Sequence, residues 1–318
     1  MLNRFQKWAL LTVASTYFLI AVGGFVRAMG AGMGCPDWPR CFDRWIPPTD
    51  LSQLPAHIDP ALFNIKLAWI EYINRLIGVS IGIFIFITMI LAIRHYRKTP
   101  RVLWPTVGAF LGVGFEGWLG SKVVSSELHP LVVTLHLVAA LIVVGLLIDA
   151  TVNAFFPQGF SKSKISPQRL KFGRFNWAFL FLLLVQVILG TTLRGELDPF
   201  SQSPTTIPRS DWIMQTGLIY PIHRSFSIIL VLLMGTLVYW TYKKFRKQPW
   251  LWRCAVTCSA ILAIQILSGI GLAYLAIPPA MQIVHLFFGS LLIGALSVMI
   301  MLIYRLPESS AQATTQSN

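Results

Sequence analysis

An all-α polytopic membrane protein, with eight transmembrane helices in two tandem four-helix bundles, is the fold class the sequence predicts. Three observations carry it: eight long apolar runs, a one-sided distribution of basic residues, and polar landmarks repeated at one spacing. A bilayer core takes roughly 20 consecutive apolar residues per helix. The runs fall at about 8–27, 68–93, 102–124, 131–152, 175–194, 216–241, 251–275 and 282–304. None alternates apolar with polar residues, which excludes a transmembrane barrel. Charged residues make up only 12% of the 318, and 55% are hydrophobic; soluble domains carry about 25% charged.

The first run is long for the apolar core of a signal peptide and has only a weak small-residue cleavage pattern, so it is read as a helix. The net charge of +14 would suit nucleic acid if it were spread over one surface. It is instead sorted by loop. With the N-terminus inside, the inner segments collect clusters such as Arg94, Arg97, Lys98 and Arg101, or Lys243, Lys244, Arg246 and Lys247. The outer loops hold Arg40, Arg44, Lys66 and Arg209. That asymmetry is the positive-inside rule. It predicts a multi-pass protein of the cell inner membrane with both termini cytoplasmic, a lipid bilayer as its surroundings and no nucleic-acid partner.

The repeat divides the chain. Asn74-Arg75 in the second run matches His223-Arg224 in the sixth, His136 in the fourth matches His285 in the eighth, and Glu116 in the third matches Gln265 in the seventh. Each separation is 149 residues. The first and fifth runs match at 167, Gly23 to Arg27 against Gly190 to Arg194, so the extra residues lie in the first outer loop. The expected units are 1–152, a cytoplasmic linker 153–174 with helix breakers Pro157, Gly159 and Pro167, a second unit 175–304 and a tail 305–318. Gly120, Gly190 and Gly269 each follow a Glu or Gln by four residues. Small residues there permit close helix approach, and packing alone would account for them.

Ionisable residues inside a membrane are expensive and mark functional sites. His136, His223 and His285 all lie just inside the outer ends of even-numbered runs. One imidazole from each of two facing helices is a standard way to hold haem iron, so His223 and His285 are predicted metal ligands. Arg27, Arg75, Arg194 and Arg224 cluster near the same face. They suit anionic haem propionates; snorkelling to lipid phosphate is the alternative. In the first half Asn74 replaces a histidine, so a haem on His136 would keep an open iron position. Glu71, one turn before Asn74, has Tyr220 as its counterpart. An unmatched carboxylate there is either used in chemistry or paired with Arg75 at i+4. Cys35 and Cys41 sit in the first outer loop, open to a disulfide, a redox pair or free thiols. Cys254 and Cys258, near an inner helix end, read as packing residues.

Helix 2 reads EYINRLIG, helix 4 carries TLH before a long apolar run, and the first outer loop reads GAGMGCPDWPRCFDRWIPPT. Together with the duplication, these resemble the haem A synthase family, over residues 8–304. The resemblance implies a membrane haem-dependent oxidoreductase that oxidises the C8 methyl of haem O to a formyl group for terminal oxidase assembly. It implies haem b as cofactor on His223 and His285, haem O as substrate near His136 and Glu71, and the Cys35–Cys41 pair above that site. It points to haem O synthase and cytochrome oxidase assembly factors as partners, and leaves the oligomeric state open. The family pattern is E-x-x-H-R, and Asn74 departs from it. Two other functions compete. A dihaem electron-transfer cytochrome would need two similar histidine pairs, and a haem or solute transporter would need midplane polar sites in broken helices.

Overall fold

The structure is a computed structural model and describes residues 2–156, 165–202 and 207–305. The expected tail beyond Arg305, and Pro157 and Gly159 of the expected linker, lie outside the described residues. Eight helices are long and apolar enough to cross a membrane: α1 (Arg4–Ala28), α2 (Ile65–Tyr96), α3 (Pro100–Ser125), α4 (Pro130–Phe155), α5 (Pro167–Gln202), α6 (Ile219–Phe245), α7 (Pro249–Tyr274) and α8 (Pro279–Arg305). Among the described residues there is no strand; an isolated bridge joins Cys41 to Arg44. The chain is therefore an all-α, multi-pass membrane protein. A helix of 26 residues rises about 39 Å at 1.5 Å per residue, enough for a hydrocarbon core of about 30 Å.

Local chemistry sets the helix starts. Asn3 and Gln6 form a reciprocal capping box at α1, and the Asn64 side chain accepts from the N–H groups of Lys66 and Leu67 at α2. Five helices open on proline: Pro100, Pro130, Pro167, Pro249 and Pro279. A missing N–H costs nothing in the first turn. The turns α3–α4 and α7–α8 use the same device. Glu127 and Leu128 in one, Ala276 and Ile277 in the other, take positive φ between 52° and 63°, a left-handed pair that non-glycine residues rarely adopt. These residues are again 149 apart, so the repeat extends to the backbone.

Helices run past the sequence-derived limits. The fifth run was expected over 175–194, yet α5 spans Pro167–Gln202. At its start it enters the span read as linker, as α4 does from the other side by reaching Phe155. At its end it continues through the polar segment Gly195–Pro199 because Arg194 pairs with Asp198 one turn on.

Within the first half α1 packs on α2 and α4, and α3 on α2 and α4; within the second, α5 packs on α6 and α8, and α7 on α6 and α8. Helices α1, α4, α5 and α8 join the halves. Small residues bring α1 and α8 close: a Cβ on Gly24 would lie 2.8 Å from Leu286 Cδ2, and one on Gly294 would collide with the Tyr17 hydroxyl. Tyr17, Ile20, Val144 and Ile148 fill this junction with Phe287 and Leu291. At the far end from residues 29–64, Arg305 of α8 donates to Asp149 of α4 at 2.9 Å. The largest apolar cluster lies mainly in the second half, with Phe172, Phe179, Leu237, Leu292 and Met299, and reaches Leu141 of α4.

Candidate functional site

The sequence-predicted residues gather at the end of the molecule that carries residues 29–64, in three groups.

The first group ties the loop to α2. Cys35 and Cys41 form a disulfide and are fully buried. Phe42 and Ala68 are buried with them, and Phe63 and Tyr72 pack against them. The Asp37 carboxylate accepts the N–H groups of Phe42 at 2.6 Å and Asp43 at 3.0 Å, which holds two successive left-handed residues (φ 56° and 59°). Farther out, the Ser52 hydroxyl and N–H both donate to Asp50 and hold its carboxyl below the usual carboxylate range. Glu71, only 4% exposed, spends both oxygens here: Oε2 accepts from Cys35 N–H at 2.7 Å, and Oε1 pairs with Arg75. Arg75 also donates to the carbonyls of Asp37 at 2.8 Å and Arg40 at 2.7 Å. Buried charges persist when paired and fully hydrogen-bonded, and this pair is. Of the two sequence readings of Glu71, the i+4 partnership with Arg75 is present. A Cβ on Gly34 would strike the Leu67 backbone, so glycine lets the loop lie directly on α2.

The second group is the imidazole pair of the second half. The rings of His223 on α6 and His285 on α8 have centroids 6.3 Å apart. That separation suits one metal ion between two imidazoles at metal–nitrogen bonds of about 2 Å. His285 Nδ1 lies 3.1 Å from the Gln265 carbonyl oxygen and 3.0 Å from Ser268 Oγ. A carbonyl only accepts, so Nδ1 carries the proton and Nε2 keeps its lone pair for a metal. Glycines seat both rings: a Cβ on Gly190 would lie 3.1 Å from His223 Cε1, and one on Gly269 3.1 Å from His285 Cε1. Gln186 Nε2 donates to the His223 carbonyl at 3.0 Å. Yet His223 Nδ1, Gln186 Oε1 and Gln265 Oε1 are buried without a hydrogen-bond partner. Orphaned polar atoms around two seated imidazoles fit a site that a polar, metal-bearing ligand completes. Among the described residues no group of three or more His, Cys, Asp or Glu gathers as a metal cluster. The donor set thus suits iron already held in a macrocycle.

The third group is the first-half counterpart. His136 on α4 places Nδ1 2.9 Å from Oε2 of Glu116 on α3, at an angle short of hydrogen-bond geometry. His136 Nδ1, Glu116 Oε1 and Asn74 Oδ1 are buried and unpartnered. A Cβ on Gly120 would lie 3.6 Å from His136 Cε1. At Gly23, the counterpart of Gly190, an added Cβ would meet nothing within 4 Å.

The four arginines read from sequence as propionate partners each have protein contacts of their own. Arg27 donates to Asp198 at 2.7 Å, and Arg194 pairs with the other oxygen of the same carboxylate. Arg75 is engaged by the loop. Arg224 lies over the Tyr220 ring, 5.4 Å from its centroid. Asp198 was missed from sequence because it lies beyond the apolar run, although its i+4 spacing from Arg194 was a signal. Ser268 was missed because a serine in an apolar helix carries no distinctive mark.

A polytopic helical protein with paired, seated imidazoles at one end of its second half is the class these features define. Residues 6–297 match the COX15-CtaA family, described as cytochrome oxidase assembly protein, and the chain belongs to that family. It is 24% identical to the heme A synthase of Alkalihalophilus pseudofirmus over 95% of this chain and 98% of that one. It is 23% identical to the heme A synthase of Geobacillus kaustophilus over 99% and 97%. A heme A synthase of Shewanella oneidensis is 28% identical over 65% of this chain, and that match spans 62% of the relative.

Proposed function

We propose that the chain is an enzyme of haem A synthesis that oxidises the C8 methyl of haem O to a formyl group. The end-to-end similarity to proteins named heme A synthase carries the proposal, and the unequal halves support it. In this reading His223 and His285 hold haem b, which supplies electron-transfer chemistry when bound. Their seats on Gly190 and Gly269 fix the ring planes, and the Gln265 carbonyl fixes the His285 tautomer. The first half takes haem O as substrate on His136. Asn74 offers no second imidazole, so one face of that iron stays open. Methyl to formyl is a four-electron oxidation: two successive hydroxylations, each drawing on an oxygen-donating oxidant from outside the chain, followed by loss of water. A dihaem relay would need two matching pairs.

Glu71 is proposed to serve the oxidation. Through Cys35 and Arg75 it anchors the disulfide loop over the substrate half, which would exclude water and orient the substrate edge. Glu71→Gln should keep the second-half haem spectrum yet stop conversion; normal conversion by this variant would remove Glu71 from the reaction. The protein is placed in the cell inner membrane with both termini cytoplasmic and residues 29–64 outside, on the charge asymmetry. Reporter fusions after residues 50 and 165 should report opposite sides. Function is tested by expression in a strain that makes haem O but lacks haem A, followed by haem extraction and chromatography. Haem A should appear; its absence, with the protein present in the membrane, would contradict the proposal.

A further inference from the structure

We infer that Glu116 is a positioning residue that makes His136 a strong single axial ligand. The first half would then take a five-coordinate haem, unlike the six-coordinate site of the second. This presupposes that His136 binds haem O, as proposed for that half.

Three helices carry a polar residue four before a glycine that lies under a histidine ring. They are Gln186–Gly190 beneath His223, Gln265–Gly269 beneath His285, and Glu116–Gly120 beneath His136. In the second half the polar residue is a neutral amide. On α3 alone it is a carboxylate, and its Oε2 sits 2.9 Å from His136 Nδ1 with only 12% of the side chain exposed. Neither His136 Nδ1 nor Glu116 Oε1 has another partner. The carboxylate is thus the acceptor within reach of His136 Nδ1. A carboxylate beside Nδ1 fixes the proton there, aims the Nε2 lone pair at the metal and raises its basicity. At His285 that task falls to a backbone carbonyl and a serine hydroxyl, which are weaker acceptors than a carboxylate.

The second departure from symmetry falls on the same site. Asn74 stands where the repeat has His223, and Gly23 faces open space where Gly190 is covered by an imidazole. One side of the first-half site thus gains a negative charge behind its ligand, and the other loses its ligand. An electron-donating axial ligand opposite an open face is the arrangement of haem sites that oxidise substrates; paired imidazoles are suited to electron transfer.

The test uses purified full-length protein whose second-half site is filled, titrated with haem b as probe. In the ferrous state the iron–histidine stretching band in resonance Raman spectra comes from five-coordinate haem only, so the low-spin group is silent. Wild type should show the band. Glu116→Gln should lower its frequency and weaken binding of the second equivalent about tenfold. Glu116→Asp, whose shorter carboxylate withdraws from Nδ1, should shift it the same way and serves if Glu116→Gln loses the low-spin spectrum that reports folding. Asn74→His should abolish the band by supplying a sixth ligand. An unshifted band and unchanged affinity in the folded Glu116 variants overturn the role of Glu116. Wild-type protein that takes up no second haem overturns the reading of the first half itself, and the role of Glu116 with it.

Discussion

The two halves share four helices each, the same left-handed turn between their last two helices and the same order of polar landmarks. The ends that carry these landmarks nevertheless differ. In the second half two imidazoles face each other 6.3 Å apart, each seated on a glycine and flanked by neutral amides. In the first, one imidazole stands beside a carboxylate, its expected partner is an asparagine, and the helix start is roped to a buried disulfide loop through Glu71 and Arg75. The scaffold repeats, and a few residues set the ends apart: an imidazole pair in one half, and a single imidazole beside a carboxylate in the other. Among the described residues, Tyr220 packs against the apolar cluster of Leu197, Ile213 and Ile277 where Glu71 holds its charged network.

The contrast can be broken most severely at the imidazole pair. His223→Ala or His285→Ala should each abolish the low-spin haem spectrum entirely, because one remaining imidazole cannot keep the iron six-coordinate; visible spectroscopy of purified protein checks this. Asn74→His should erase the difference between halves. It is expected to retain haem at both sites and to make the first-half haem low-spin like the second, measured by visible spectroscopy of the purified protein. The glycine seats give a smaller and more pointed comparison. Gly269→Ala forces a Cβ to within 3.1 Å of His285 and should cost about 1–3 kcal/mol of overpacking. Gly23→Ala, with nothing nearby, should stay within about 0.5 kcal/mol of wild type. Thermal unfolding of the two variants in detergent measures both. Weakest is Asp198→Asn, which removes the carboxylate that Arg27 and Arg194 share and ties α1 to α5. At partial exposure its loss should be about 1 kcal/mol, read in the same unfolding experiment.

The eight helices and their class were legible because each buries its backbone polar groups within one apolar run, and hydropathy reports that directly. Their ends were less so. The extension of α5 to Gln202 depends on the Arg194–Asp198 pair and on contact with residues 209–216, neither of which hydropathy registers. The histidines were legible through repeat spacing, and each ring lies against a glycine that shares that spacing or follows a Gln by four residues. The partners of the arginines were not. Arg27 meets Asp198 across 171 residues, and Arg75 closes on the carbonyls of Asp37 and Arg40, contacts that only folding brings about. Glu71 was singled out correctly as an unmatched buried acid, while its bond to the Cys35 N–H depended on where the loop lands.

Haem extraction from protein purified out of a strain that makes haem O tests the division of labour most directly, with wild type and His136→Ala compared side by side. Wild type should yield haem b together with haem O or its oxidised products. His136→Ala should yield haem b alone, at unchanged stoichiometry. Loss of haem b with retention of haem O in His136→Ala, or an identical haem content in both proteins, would contradict the assignment of cofactor to the second half and substrate to the first.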